Sequence, residues 1–216
     1  MEHYSTVTPY VVHFTKENGE ELRDFFVSLE TSNPYLDYDG FEKIVTGSYQ
    51  SNKFPACFKA AAQQIIEQHK MGVEAHLITG LPVISDLPVT DGMEIIALKK
   101  QMTGPFLAEK ILQSLSLHLD MPFIGYETRN EGTFFQDVLP SVKFRNTQTQ
   151  KTDGELYAHN DRSAHKIRPD ILMLHGLRTN PVNEVYTDYI SGRDLIKTIG
   201  PENAEILKQK VFITPF

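Results

Sequence analysis

The sequence changes character at Asp120. Before it, apolar residues recur at three- and four-residue spacing; from Pro122 onward, short apolar runs are broken every few residues by Gly, Pro, Asn or Asp. A spacing of three and four puts side chains on one helical face, whereas short punctuated runs suit strands. Helices first and strands later predict an α+β chain, its helices packed on a sheet or double-sheet roll. With 216 residues, the chain is read as one domain over 1–216, helix-rich over 1–120 and strand-rich over 121–216.

In the first part, Pro9 to Phe14 alternates like a strand, and Asn18-Gly-Glu-Glu21 has capping-box spacing ahead of a helix that runs to about Leu29. A second helix is predicted over Pro55 to Met71, stopped by Gly72, with Phe58, Ala61, Ala62, Ile65 and Ile66 as its buried stripe. Val73 to Ile78 reads as a buried strand ending at Gly80-Leu-Pro82. Thr103 is the expected cap of a third helix with Pro105 in its first turn and Phe106, Leu107, Ile111, Leu112 and Leu115 at helical spacing. Strands are predicted over Thr133 to Leu139, Leu156 to His159, Ile171 to Leu177 and Val185 to Ile190, and a helix over Ser191 to Lys210, interrupted at Gly200-Pro201.

Composition narrows the partners. A net charge of -7 without a long Lys/Arg block argues against nucleic acid and anionic membranes, and favours a small-molecule ligand. No stretch reaches the roughly 18 apolar residues of a membrane span, and the N-terminus lacks a basic-then-apolar leader, so the expected compartment is the cytoplasm. Cys57 is the lone cysteine, so no intrachain disulfide can form, and it is expected to be buried and inert. Asp86, Asp91 and Glu94 read as a solvated acidic loop.

One short run carries chemistry. In Leu156-Tyr-Ala-His-Asn-Asp161, His159 and Asp161 stand two positions apart, which on an extended backbone puts both side chains on one face. An imidazole and a carboxylate converging in this way make two thirds of a 2-His-1-carboxylate site suited to non-haem Fe(II). By spacing alone, a hydrogen-bonded pair in a surface turn explains the pattern as well.

The neighbouring residues weigh on that choice. Gly154 to Arg178, which contains His159-Asn-Asp161 and Arg168-Pro169, resembles the ligand-bearing region of the clavaminate synthase-like Fe(II)/2-oxoglutarate oxygenases, relatives of the taurine dioxygenase group. His76-Leu-Ile-Thr-Gly-Leu-Pro82, Glu131-Gly-Thr-Phe-Phe-Gln-Asp-Val-Leu-Pro140 and Asn146-Thr-Gln148 are similar to earlier landmarks of that family, in the same order. The resemblance implies a double-stranded β-helix of jelly-roll type behind N-terminal packing helices. It implies Fe(II) bound by His159 and Asp161, with 2-oxoglutarate and O2 as cosubstrates and Thr187 on a 2-oxoglutarate carboxylate. Gln136 falls where some members contact substrate, and the substrate implied is a free amino acid or a small derivative of one. His165 is read as a structural neighbour of the ligands, and His175 as a hydrogen-bonded histidine on a half-buried strand.

Two features depart from the family. Its amino-acid hydroxylases more often have Glu where this chain has Asp161. Its distal histidine and 2-oxoglutarate arginine have no counterpart here, since His165, His175, Arg178 and Arg193 all lie in unlike segments. The expectation is therefore a chain covering the N-terminal two thirds of such an enzyme and incomplete at its C-terminus, with uncovered sheet edges that favour self-association. A non-catalytic oxygenase-like domain that binds a ligand or partner is the alternative.

Overall fold

The computed structural model describes residues 8–87, 90–162, 165–178 and 186–209. Two strands, β1 (Tyr10–His13) and β2 (His76–Thr79), pair in parallel with Tyr10 opposite His76 and His13 opposite Thr79. Between and after them come the helices α1 (Lys16–Ser28), α2 (Tyr38–Gln50), α3 (Ala56–Lys70), α4 (Ile95–Gln101), α5 (Leu107–Leu119) and α6 (Gly192–Leu207).

Helix α5 is the centre of the packing and touches α1, α2 and α3. Its apolar stripe, Leu107, Ile111 and Leu115, shares one cluster with Leu22 and Phe26 of α1, Phe41 and Val45 of α2, and Phe58, Ala62 and Ile65 of α3. Burying each large side chain of this set contributes about 1.5–3 kcal/mol, so the helical layer is the stable body of the molecule. Lys110, also on α5, points its ammonium at the end of α1 and donates to the carbonyl oxygens of Phe26 (2.8 Å) and Leu29 (2.5 Å). It thus supplies the positive charge and donors that a helix C-terminus lacks.

Several boundaries differ from the sequence reading. Helix α1 starts three residues before the expected capping box: Thr15 is the cap, and its hydroxyl accepts from the Asn18 amide at 3.2 Å. Thr103 does not cap α5, because the chain turns through a cis Gly104–Pro105 bond and a left-handed Phe106 before the helix begins at Leu107. The second predicted helix matches α3, with Gly72 at φ +90 beyond its end. The last corresponds to α6, broken at Gly200 as expected; Lys210 lies outside the described residues.

The sequence reading overlooked α2 and α4. It also placed the second strand too early, since the ladder begins only at His76. Among the described residues, the segments 133–139, 156–159, 171–177 and 186–190 are irregular and pair with no strand; Val185 lies outside those residues. A strand is defined by its ladder, and these backbones find other partners, such as the Tyr157 amide on a glutamine side chain.

Candidate metal-ligand pair and its supports

Gln148 braces the backbone of the candidate site. Its side-chain amide grips the chain just ahead of His159: Nε2 donates to the Glu155 carbonyl at 3.0 Å and Oε1 accepts from the Tyr157 amide at 2.9 Å. One primary amide thereby replaces the paired donor and acceptor of an adjacent strand. The Tyr157 carbonyl, held in this way, lies 2.8 Å from His159 Nδ1. A carbonyl can only accept, so Nδ1 carries the proton, and in the neutral ring Nε2 is left with a bare lone pair.

That lone pair faces a carboxylate, His159 Nε2 lying 3.4 Å from Asp161 Oδ1. Two lone pairs facing each other at this range repel unless a proton or a cation lies between them. An imidazole nitrogen and a carboxylate oxygen are donors suited to a divalent transition metal, and a carbonyl on the far ring nitrogen fixes the tautomer that such a histidine would need. Both side chains are about half exposed, at 52% and 49%, so the pair is open to solvent. The geometry is equally that of a protonated histidine paired with an aspartate in a turn. Among the described residues no third His, Cys, Asp or Glu joins the two.

The loop beyond the pair rests on Tyr126. The Arg162 guanidinium lies 4.6 Å over the Tyr126 ring, the His165 ring meets its edge at 4.6 Å, and the Tyr126 hydroxyl donates to the Ile167 carbonyl. Gln136 is exposed but fixed from both sides, between the buried Phe135 and Asp137, which is tied to Lys99. Thr187 is also exposed. Its segment is fastened two residues on, where Tyr189 donates to Glu74 Oε2 at 3.1 Å and Arg193 pairs with Oε1 of the same carboxylate at 3.2 Å. Hydrogen bonds from Ser191 and Tyr189, with the Arg193 charge, hold the Glu74 carboxyl below its ordinary range. Arg178 donates to the Leu87 carbonyl, so both arginines weighed in the sequence are engaged away from the pair.

Three other readings need correction or refinement. Cys57 is only partly buried; burial and the nearby Glu21 raise its pKa and keep it a thiol, the unreactive form. Asp91 is structural, accepting from the amides of Met93 and Val142, and these bonds lower its pKa. His175 is half-buried as expected, but it lies on an irregular segment, and both its ring nitrogens are buried without a hydrogen-bond partner.

A buried polar cluster escaped the sequence reading. Lys99 of α4 lies 2.6 Å from Glu109 of α5 and 3.3 Å from Asp137, with both lysine and glutamate side chains 5% exposed. The Tyr35 hydroxyl lies 2.9 Å from Glu109 and 3.0 Å from Asp137, its one proton shared between the two carboxylates. Burial opposes the Lys99 charge, but the two carboxylates outweigh it and raise the pKa. Burial together with the same carboxylates pushes the Tyr35 hydroxyl far up. The one available signal was Glu109-Lys110 inside an otherwise apolar helical stripe, where charged residues are rarely buried unless paired.

His159 and Asp161 thus turn one imidazole nitrogen and one carboxylate oxygen toward each other on a solvent-open loop. Over 143 residues the chain is 30% identical to the L-lysine 3-hydroxylase of Catenulispora acidiphila, a match covering 65% of this chain and 38% of that enzyme. The matched region therefore takes in well under half the length of that enzyme. No family model matches the sequence, and no solved structure matches it. Among the described residues, no helix is long and apolar enough to cross a membrane.

Proposed function

We infer that this chain is part of an Fe(II)/2-oxoglutarate-dependent oxygenase that hydroxylates a free amino acid or a small amino-acid derivative. The observation that carries the reading is the His159–Asp161 pair, with Nδ1 committed to the Tyr157 carbonyl and Nε2 turned toward Asp161 Oδ1. Similarity to an amino-acid hydroxylase supports the reaction class. When bound, iron with 2-oxoglutarate and O2 would supply the oxidising power to convert a C–H bond into C–OH.

The chain's own residues have narrower tasks. His159 and Asp161 would hold the metal from one side, and Gln148 fixes the backbone that orients His159. Thr187 would donate its hydroxyl to a 2-oxoglutarate carboxylate, and Gln136, exposed beside a pinned backbone, would contact substrate. The segments around Thr133–Leu139, Leu156–His159 and Ile171–Leu177 would be the first strands of the double-stranded β-helix.

The test is metal retention after anaerobic Fe(II) addition, together with Fe(II)-dependent conversion of 2-oxoglutarate to succinate in the presence of L-lysine and other free amino acids. Metal retention by the unaltered chain and its loss in Asp161→Ala and His159→Ala are expected. Equal metal and turnover in all three proteins would overturn the reading and leave the pair as a turn interaction.

A further inference from the structure

A small cavity of about 10 Å3 lies where His175 and Leu177 meet Lys99 and Glu109 of the helical layer and the 82–87 loop. The segment presents alternate residues to the layer. Met173 packs on the core and His175 and Leu177 face the cavity, while Leu172 and Leu174 are 61% and 65% exposed. His175 is thus the polar residue of an otherwise apolar inner face. Both its ring nitrogens are buried and unpartnered. Burial lowers its pKa, against a smaller opposing pull from Glu109, so the ring presents one N–H and one bare nitrogen.

The opposite wall has matching capacity to spare. Glu109 uses Oε1 for both Tyr35 and Lys99 and accepts nothing on Oε2 among the described residues. Lys99 gives two of its three protons to Glu109 and Asp137. A volume near 10 Å3 is about the room one water requires, and a buried water typically makes about three hydrogen bonds. We propose that this cavity is a single-water site, in which one water joins His175 to Glu109 and Lys99 and fastens the 171–178 segment to the helical layer. The water accepts from the His175 or Lys99 N–H groups and donates to Glu109 Oε2. The seating of the segment would then depend on a polar bolt rather than on its two apolar neighbours, Met173 and Leu177.

Hydrogen–deuterium exchange on the full chain tests this, with the amides of 171–178 read against those of α5. His175→Phe keeps a flat ring but neither nitrogen, and should speed exchange in the segment by about tenfold, the worth of one lost hydrogen bond, while α5 is unchanged. His175→Gln retains a donor and an acceptor and should stay within about threefold of the unaltered chain. Exchange in His175→Phe equal to or slower than in the unaltered chain would overturn the proposal, as would Gln behaving like Phe. Should His175→Phe fail to fold, a crystal structure of the unaltered chain decides: electron density for a water within hydrogen-bond distance of His175 and Glu109 supports the proposal, and an empty cavity overturns it.

Discussion

Lys99 and Glu109 stand ten positions apart in sequence yet meet at 2.6 Å with their side chains 5% exposed, joining α4 to α5 through a buried ion pair. Asp137 and Tyr35 complete the cluster from two further parts of the chain. Replacing Lys99 by Met would leave two carboxylates buried beside each other without their cation. The expected loss is about 3–5 kcal/mol of folding stability, measured by urea unfolding. A loss under about 1 kcal/mol would show that the carboxylates find water once the lysine is gone.

Stability should vary with pH in the alkaline range. Burial lowers the Lys110 pKa from 10.5 to about 8, so between those values the unfolded chain holds a proton that the folded chain has shed. Stability therefore rises with pH across that window. Burial raises the pKa of Tyr35 and Tyr38 from 10.0, which gives the opposite sign above pH 10, where only the unfolded chain loses those protons. Urea unfolding from pH 7 to 11 should show a rise above pH 8 and a downturn beyond pH 10. Lys110→Met should abolish the rise and leave the downturn.

Gln148→Ala removes both backbone bonds that hold Glu155 and Tyr157. If His159 is a metal ligand, this change should weaken metal binding about 10–100-fold, the usual effect of losing an orienting partner. Anaerobic Fe(II) or Co(II) titration followed by absorbance would measure it. Unfolding midpoints should change little, because Gln148 is exposed.

Gly80 has φ +79, and a Cβ there would run into the carbonyl of Phe14, whose side chain is in the core. Gly80→Ala should cost about 2 kcal/mol or more by thermal or chemical unfolding, through left-handed strain and the clash together. Gly72, also at positive φ but with open space around it, should tolerate Ala at a cost nearer 1 kcal/mol.

How much of this was legible in the sequence depended on whether the signal was local. Helix α3 showed a full stripe, Phe58, Ala61, Ala62 and Ile65, and a glycine stop, and α6 kinked at the expected Gly200. Helix α2 was hidden because Gly40 and Gly47 interrupt it and only Phe41, Val45 and Ser48 are buried. Helix α4, at seven residues, is too short to establish a period. His159 and Asp161 could be singled out because their spacing is local. Lys99, Glu109 and Asp137 could not, since tertiary folding alone brings them together. The segments read as strands have the alternation of strands, but pairing is a property of two segments and cannot be read from one.

The contact of Lys110 with the end of α1 has a mechanical consequence. Sliding α1 along α5 by one helical turn, about 5.4 Å, would draw the Phe26 and Leu29 carbonyls away from a buried ammonium and strand it. Apolar side chains tolerate such slippage by repacking; a buried charge on two acceptors does not. The helical layer thus has an indexing pin, and movement elsewhere in the chain takes place against a frame whose two innermost parts are locked in register.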